Sequence, residues 1–229
     1  MKNKKKLSRI KLFEEIVSFM ENNLDKWNSI EEIRRTYDEF THNLKKLKDL
    51  QPELERDLAP VLSELGDKRE LLMQRLFPVG NILEVYAEDH KMGKKSISLL
   101  KSSKKLDSLS NKKLLSHATR LYRLIDKYMH QVEGAHEKDG QINPGQDIKR
   151  YGLAGSMMDD LNTANHQYQS ALHLRKDVFV YRKKVNKKMD GLLTANWKLL
   201  TSRLNKLMTV FSGTHPTFYR EYKRISTQK

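Results

Sequence analysis

The chain has 229 residues, with 44 Lys and Arg against 29 Asp and Glu, for a formal net charge of +15. Cysteine is absent, which excludes disulfides, thiolate metal sites and Cys nucleophiles together. Ten Gly and five Pro are too few for an all-β chain of short strands, and 38% apolar residues beside 32% charged ones suit amphipathic helices with wide solvated faces.

The first residues, Met1 to Lys6, are basic, but Arg9, Lys11, Glu14 and Glu15 interrupt the stretch from Leu7 to Met20. A signal peptide needs an unbroken apolar run there. No stretch approaches the roughly 18 apolar residues of a membrane span. The chain therefore reads as soluble and cytoplasmic.

Apolar residues recur three and four apart almost throughout, which is the helix period. Ile10, Phe13, Val17, Met20 and Leu24 form the first stripe. Ile30, Ile33, Tyr37, Phe40, Leu44 and Leu47 form the second. Asp25 to Asn28 reads as a break, and Ser29 with Glu32 as a capping box. So short a link makes the two helices antiparallel neighbours. Pro52 is placed to open a third helix, with Leu54, Leu58, Val61 and Leu65 as its stripe. Leu72, Leu76, Val79, Leu83 and Tyr86 keep that register beyond Gly66, so one long helix or two coaxial ones is expected. Pro60 and Pro78 are expected to kink it.

Met92-Gly93 reads as the end of that helix. Lys and Ser then dominate to Ser110, which is placed as an N-cap, while Leu99, Leu100, Leu106 and Leu109 anchor the stretch. Leu114, Ala118, Leu121, Ile125, Tyr128 and Val132 mark the next helix, which frays near Gly134 to Gly140. Asn143-Pro144-Gly145 is the clearest loop signal. After Gly152 and Gly155 come Met157, Leu161, Ala164, Tyr168 and Leu172. The phase shifts at Arg175 to Asp177, where a turn or sharp kink is expected. The last long helix carries Val185, Met189, Leu193, Trp197, Leu200, Leu204, Leu207 and Phe211. Gly213 is placed as its C-cap and His215-Pro216 as its stop. Phe218 to Ile225 closes the chain as a short amphipathic piece. The fold expected is all-α: an elongated antiparallel bundle of about six helices. It is read as a single helical-bundle domain over 1–229. Residues 1–50 form a semi-independent hairpin, and 215–229 a short C-terminal helix and tail.

Several of these segments carry a resemblance. Val85-Tyr86-Ala87 ends one long helix, and Leu106-Asp107 lies in the Lys/Ser/Leu stretch. Tyr151-Gly152 precedes the next helix, a Lys-rich penultimate helix comes after it, and the tail reads Phe218-Tyr219-Arg220-Glu221-Tyr222 with Arg224-Ile225. Over residues 68–226 this order resembles a family of uncharacterised all-helical proteins of Bacteroidota-type bacteria. The resemblance implies an all-helical fold and a bacterial source, and it implies no functional residue. This chain is more basic than that family, and its loop near Gln141 departs from it.

Few residues point to chemistry. Glu133-x-x-His136 has metal-like spacing, but Glu133 lies beside Gly134, where the helix is failing. Glu88-Asp89-His90 point in different directions on a helix. His166 and His173 share a helical face, with Asn162 and Gln169 near, and suit the edge of a bundle. No nucleophile elbow or Gly-rich phosphate loop occurs. Tyr37, Tyr86, Tyr128 and Tyr168 fall on apolar stripes and read as core positions with hydroxyls reaching outward. No catalytic residue, cofactor or metal is expected, and the chain is read as a non-enzyme.

Charge is what remains. It alternates along the chain: net +4 over 1–48, −6 over 49–90, +9 over 91–129, −3 over 130–174 and +11 over 175–229. The densest run, Arg175 to Lys188, has Phe179 and Tyr181 interleaved. The first reading is a binding or scaffolding protein for a protein partner or for self-association, with neighbouring helices cancelling each other's fields. The alternative is a sequence-nonspecific nucleic-acid binder. Its candidate residues are Arg182, Lys183, Lys184, Lys187 and Lys188, with Lys94, Lys95, Lys101, Lys104 and Lys105. An anionic membrane surface ranks third, because the N-terminal apolar stripe is needed for packing.

Overall fold

The computed structural model describes residues 2–90, 103–130 and 148–227. The described residues are almost all helical, and no strand occurs among them. In order, the helices are α1 (Lys2–Glu21), α2 (Leu24–Trp27), α3 (Glu31–Glu55), α4 (Ala59–Asp89), α5 (Ser103–Asp107), α6 (Asn111–His130) and α7 (Gly155–Leu199). Beyond them lie a π turn (Leu200–Leu204), α8 (Asn205–Leu207), a 3-10 turn (Met208–Val210), α9 (Phe211–Thr214) and α10 (Pro216–Ser226). The chain's contacts divide into two compact units. Unit 1 holds 1–57 with 179–229, and unit 2 holds 58–178.

In unit 1, α1 and α3 form an antiparallel hairpin. Phe13 meets Phe40 edge-on with ring centroids 5.2 Å apart. Lys48 pairs with Glu14 at 3.0 Å. Trp27, in the segment expected to be a break, is the hinge pin: it is buried, its indole N–H donates to Met20 O at 2.7 Å, and its ring lies against Tyr37. The Ser29–Glu32 capping box does not form. Ile30 occupies the N-cap position with no side-chain cap bond. Glu32 instead pairs with Arg203 at 2.9 Å. The hairpin is not independent, because Val185, Met189, Leu193, Leu200 and Leu204 share its core. Phe218 of α10 stacks on Phe19.

Two expected turns are relocated. Pro52 lies inside the end of α3, and Leu54 is that helix's last buried residue. The next helix opens at Ala59, with Pro60 in its first turn, where a missing N–H costs nothing and no kink results. Gly213 lies within α9, and His215 is the cap. Pro216 then opens α10 rather than merely stopping the helix before it.

The last helix also departs from its expected stripe. Trp197 is 36% exposed, and Asn196 takes the core position with no exposure. At 100° per residue, 196 continues Val185, Met189 and Leu193 on the buried face, while 197 rotates to its edge. There Arg9 lies over the Trp197 ring at 5.3 Å. Asn196 Nδ2 donates to Phe40 O at 3.0 Å, and its Oδ1 has no partner among the described residues. The adjoining π turn absorbs an extra residue and leaves Leu200, Leu204, Met208 and Phe211 buried.

Unit 2 packs α4, α6 and the first part of α7 around Leu72, Leu76, Val79, Leu83, Leu121, Ile125, Leu161 and Tyr168. The periodic residues of α4 from Leu72 to Tyr86 are all buried, as their spacing requires. Each such leucine contributes about 2 kcal/mol of transfer free energy. Arg69 fixes the α5–α6 connection. Its guanidinium donates to Asp107 O at 2.7 Å, Leu109 O at 2.8 Å and Asn111 Oδ1 at 3.0 Å. Gly152 takes φ +88° in the turn before α7, a conformation a side chain would strain. No turn occurs at Arg175 to Asp177; α7 runs through them. The phase shift there is real but has another cause. No residue from 173 to 184 is buried, so the stripe ends with one core at Ala171 and restarts with the other at Val185.

Candidate functional site

Among the described residues no group of three or more His, Asp or Glu is arranged to hold a metal. Glu133 and His136 lie outside those residues, as do Gly134 to Gly140 and Asn143-Pro144-Gly145. His166 and His173 are solvent-facing rather than enclosed. Asp89 accepts a hydrogen bond from Tyr151 at 2.8 Å, and His90 stacks on Tyr86 at 4.2 Å. Tyr37, Tyr86 and Tyr168 are buried and Tyr128 is half-buried, so they pack rather than line a cleft. Burial raises the pKa of Tyr37, helped by the negative charge of Glu21. It raises Tyr168 against the opposing pull of Arg69. Tyr222 is raised by burial and donates to Asn205 Oδ1 at 2.7 Å. No helix of the described residues is long and apolar enough to cross a membrane.

The candidate lysines divide between the units. Lys94, Lys95 and Lys101 lie outside the described residues. Lys104 is in α5, and Lys105 beside it is exposed. All five belong to the range of unit 2, whereas Arg182, Lys183, Lys184, Lys187 and Lys188 belong to unit 1.

Within unit 1 these five differ in role. Arg182 is half-buried and turned inward. It donates to Leu54 O at 2.7 Å and Arg56 O at 3.4 Å, carbonyls at the C-terminal end of α3 that lack helical partners. It is a helix cap, a role with no local signature because its partners lie more than 120 residues away. Lys183, Lys184, Lys187 and Lys188 project from α7, and among the described residues none makes a hydrogen bond or ion pair. Asp190, the nearest acidic residue after them, is matched by Lys6 at 3.0 Å. Lys6 also donates to Asn186 Oδ1 at 2.9 Å. The like-charged pairs Lys183–Lys187 and Lys184–Lys188 sit one turn apart, and such pairs cost about 0.2–0.5 kcal/mol each.

The same face carries an opening. Gly191 is exposed in mid-helix, with no atom within 4 Å of where a Cβ would stand. With Leu192 and the stems of Lys184, Lys187 and Lys188 it lines a shallow depression of about 520 Å³. Val180 and Tyr181, two to three turns earlier, are about half exposed. Unpaired cations beside exposed apolar groups can hold an anionic partner through its charges and its hydrocarbon or ring surfaces at once.

No family model, no curated protein and no solved structure matches this chain.

Proposed function

We propose that this is a non-enzymatic helical binding protein, and that its partner is a nucleic acid held through its phosphates on the lysine face of α7. The observation that carries this reading is the set of four unpaired lysines within two helical turns. Their charges match no carboxylate among the described residues and repel one another. A phosphate chain offsets that repulsion and releases its own counterions on binding. Lysines bind phosphate as point charges, which suits recognition without sequence.

The test is retention on heparin and oligonucleotide binding by fluorescence anisotropy, after bound nucleic acid has been stripped. Four phosphate contacts weaken binding about 50- to 150-fold between roughly 50 and 200 mM salt. Replacing Lys183, Lys184, Lys187 and Lys188 together by Gln should abolish that dependence while leaving helicity intact. Arg182 stays unaltered, because its loss would uncap α3. Retention that ignores both salt and the fourfold change would sink this reading and leave a protein partner in its place.

A further inference from the structure

We infer that the partner of this face is single-stranded nucleic acid, with one base stacked on Tyr181; the inference rests on the nucleic-acid reading. Tyr181 is 49% exposed. Among the described residues its ring and hydroxyl make no hydrogen bond or ring contact. It precedes Lys184 by three residues and Lys188 by seven, so ring and ammonium groups share one side of the helix. Gly191, three residues past Lys188, extends that side with an opening rather than a side chain. The face therefore offers, in order, a flat ring, cations and a shallow apolar depression.

This order selects between forms of nucleic acid. A duplex keeps its bases stacked on each other and presents phosphates and base edges, so an exposed tyrosine has no ring face to meet. A single strand presents phosphates and unstacked bases together, and base–aromatic stacking is the usual complement to a basic groove. Trp197, further along α7, already has Arg9 over its ring. Tyr181 is the ring that stands ready beside the unpaired lysines.

The experiment compares an oligo-dT, an oligo-U and a duplex of equal length, by anisotropy at fixed salt. At least one single strand should bind more tightly than the duplex. Tyr181→Ala should weaken single-strand binding roughly 5- to 150-fold, the range of losing one stacked base. It should leave duplex binding and the salt slope as they were, and Tyr181→Phe should bind like the parent. The duplex binding as tightly as either strand, or Tyr181→Ala matching the parent on single strands, overturns the inference. The fourfold lysine variant separates the failures. If it loses binding while Tyr181→Ala does not, only the stacking falls; if it keeps binding, the assignment to the lysine face of α7 falls and takes the stacking with it.

Discussion

The two units solve the same folding problem with matching devices. Each contains an arginine that satisfies carbonyls left over at a helix end, Arg182 on α3 and Arg69 on α5. Each buries an asparagine whose amide N–H donates while its oxygen goes unpartnered among the described residues, Asn196 and Asn165. They differ in charge. Unit 1 holds 25 Lys and Arg against 14 Asp and Glu, net +11, whereas unit 2 holds 19 against 15, net +4. Unit 2 shows that this style of helical core folds without a large positive excess. The surplus on unit 1 is therefore not a structural requirement, and it includes the unpaired lysines of α7.

Core truncations should break the comparison hardest. Both tryptophans, Trp27 and Trp197, lie in unit 1, so their fluorescence reports that unit while circular dichroism reports all helices. Phe40→Ala should cost about 3–5 kcal/mol and lower the tryptophan-monitored midpoint. Leu72→Ala, costing about 2–5 kcal/mol in unit 2, should move the helix signal more than the tryptophan signal. Identical shifts by both probes in both variants would show that the units unfold as one body.

Alkaline pH should discriminate next. Tyr37 and Tyr222 of unit 1 and Tyr168 of unit 2 have raised pKa values in the fold, burial being the first cause of each. For each, the folded state holds its proton to higher pH than the unfolded chain does. That stability is complete below the unfolded value near 10 and is lost as pH rises towards the folded one. Each tyrosine removes stability progressively across that window. Unit 1, with two, should lose its tryptophan signature at lower pH than unit 2 loses its helix; simultaneous loss would contradict this.

The smallest effect sharpens the contrast between two glycines. Gly191→Ala, exposed and in an ordinary helical conformation, should stabilise unit 1 by about 0.5–1 kcal/mol. Gly152→Ala, at φ +88°, should destabilise unit 2 by about 1 kcal/mol or more. Thermal melts of both variants decide the signs. If Gly191→Ala also weakens oligonucleotide binding, the opening on α7 serves the partner as well.

Much of this architecture is legible in the chain, for a physical reason. Where a helix packs one face on one core, as from Ile33 to Leu47 and Leu72 to Tyr86, the period of the apolar residues is the structure. Legibility fails where a residue's partner is remote or its core changes. Trp27 sits in a segment too short to show a period. Ser29 and Glu32 have cap spacing, but Glu32 is drawn to Arg203, far along the chain. Leu172 and Val185 bracket a helix that leaves one core and joins another, which in one dimension looks like a turn. The lysine run of α7 is visible in composition alone. Which members are committed is not, because Arg182 is distinguished only by carbonyls at Leu54 and Arg56.

The order of segments also bears on how the protein is made. Unit 2 is continuous in the chain, while unit 1 is split into 1–57 and 179–229 with all of unit 2 between. A ribosome working at about 5–20 residues per second takes roughly 6–24 s to pass from the end of α3 to the residues that complete its core. For that interval the α1–α3 hairpin carries Ile16, Phe40 and Leu47 without the leucines of α7 that complete their core. Unit 2 can form in the meantime. Its completion shortens the chain that unit 1 must close and reduces the entropy lost when the two halves meet. The N-terminal hairpin is thus the part of the nascent chain whose apolar face waits longest for its cover.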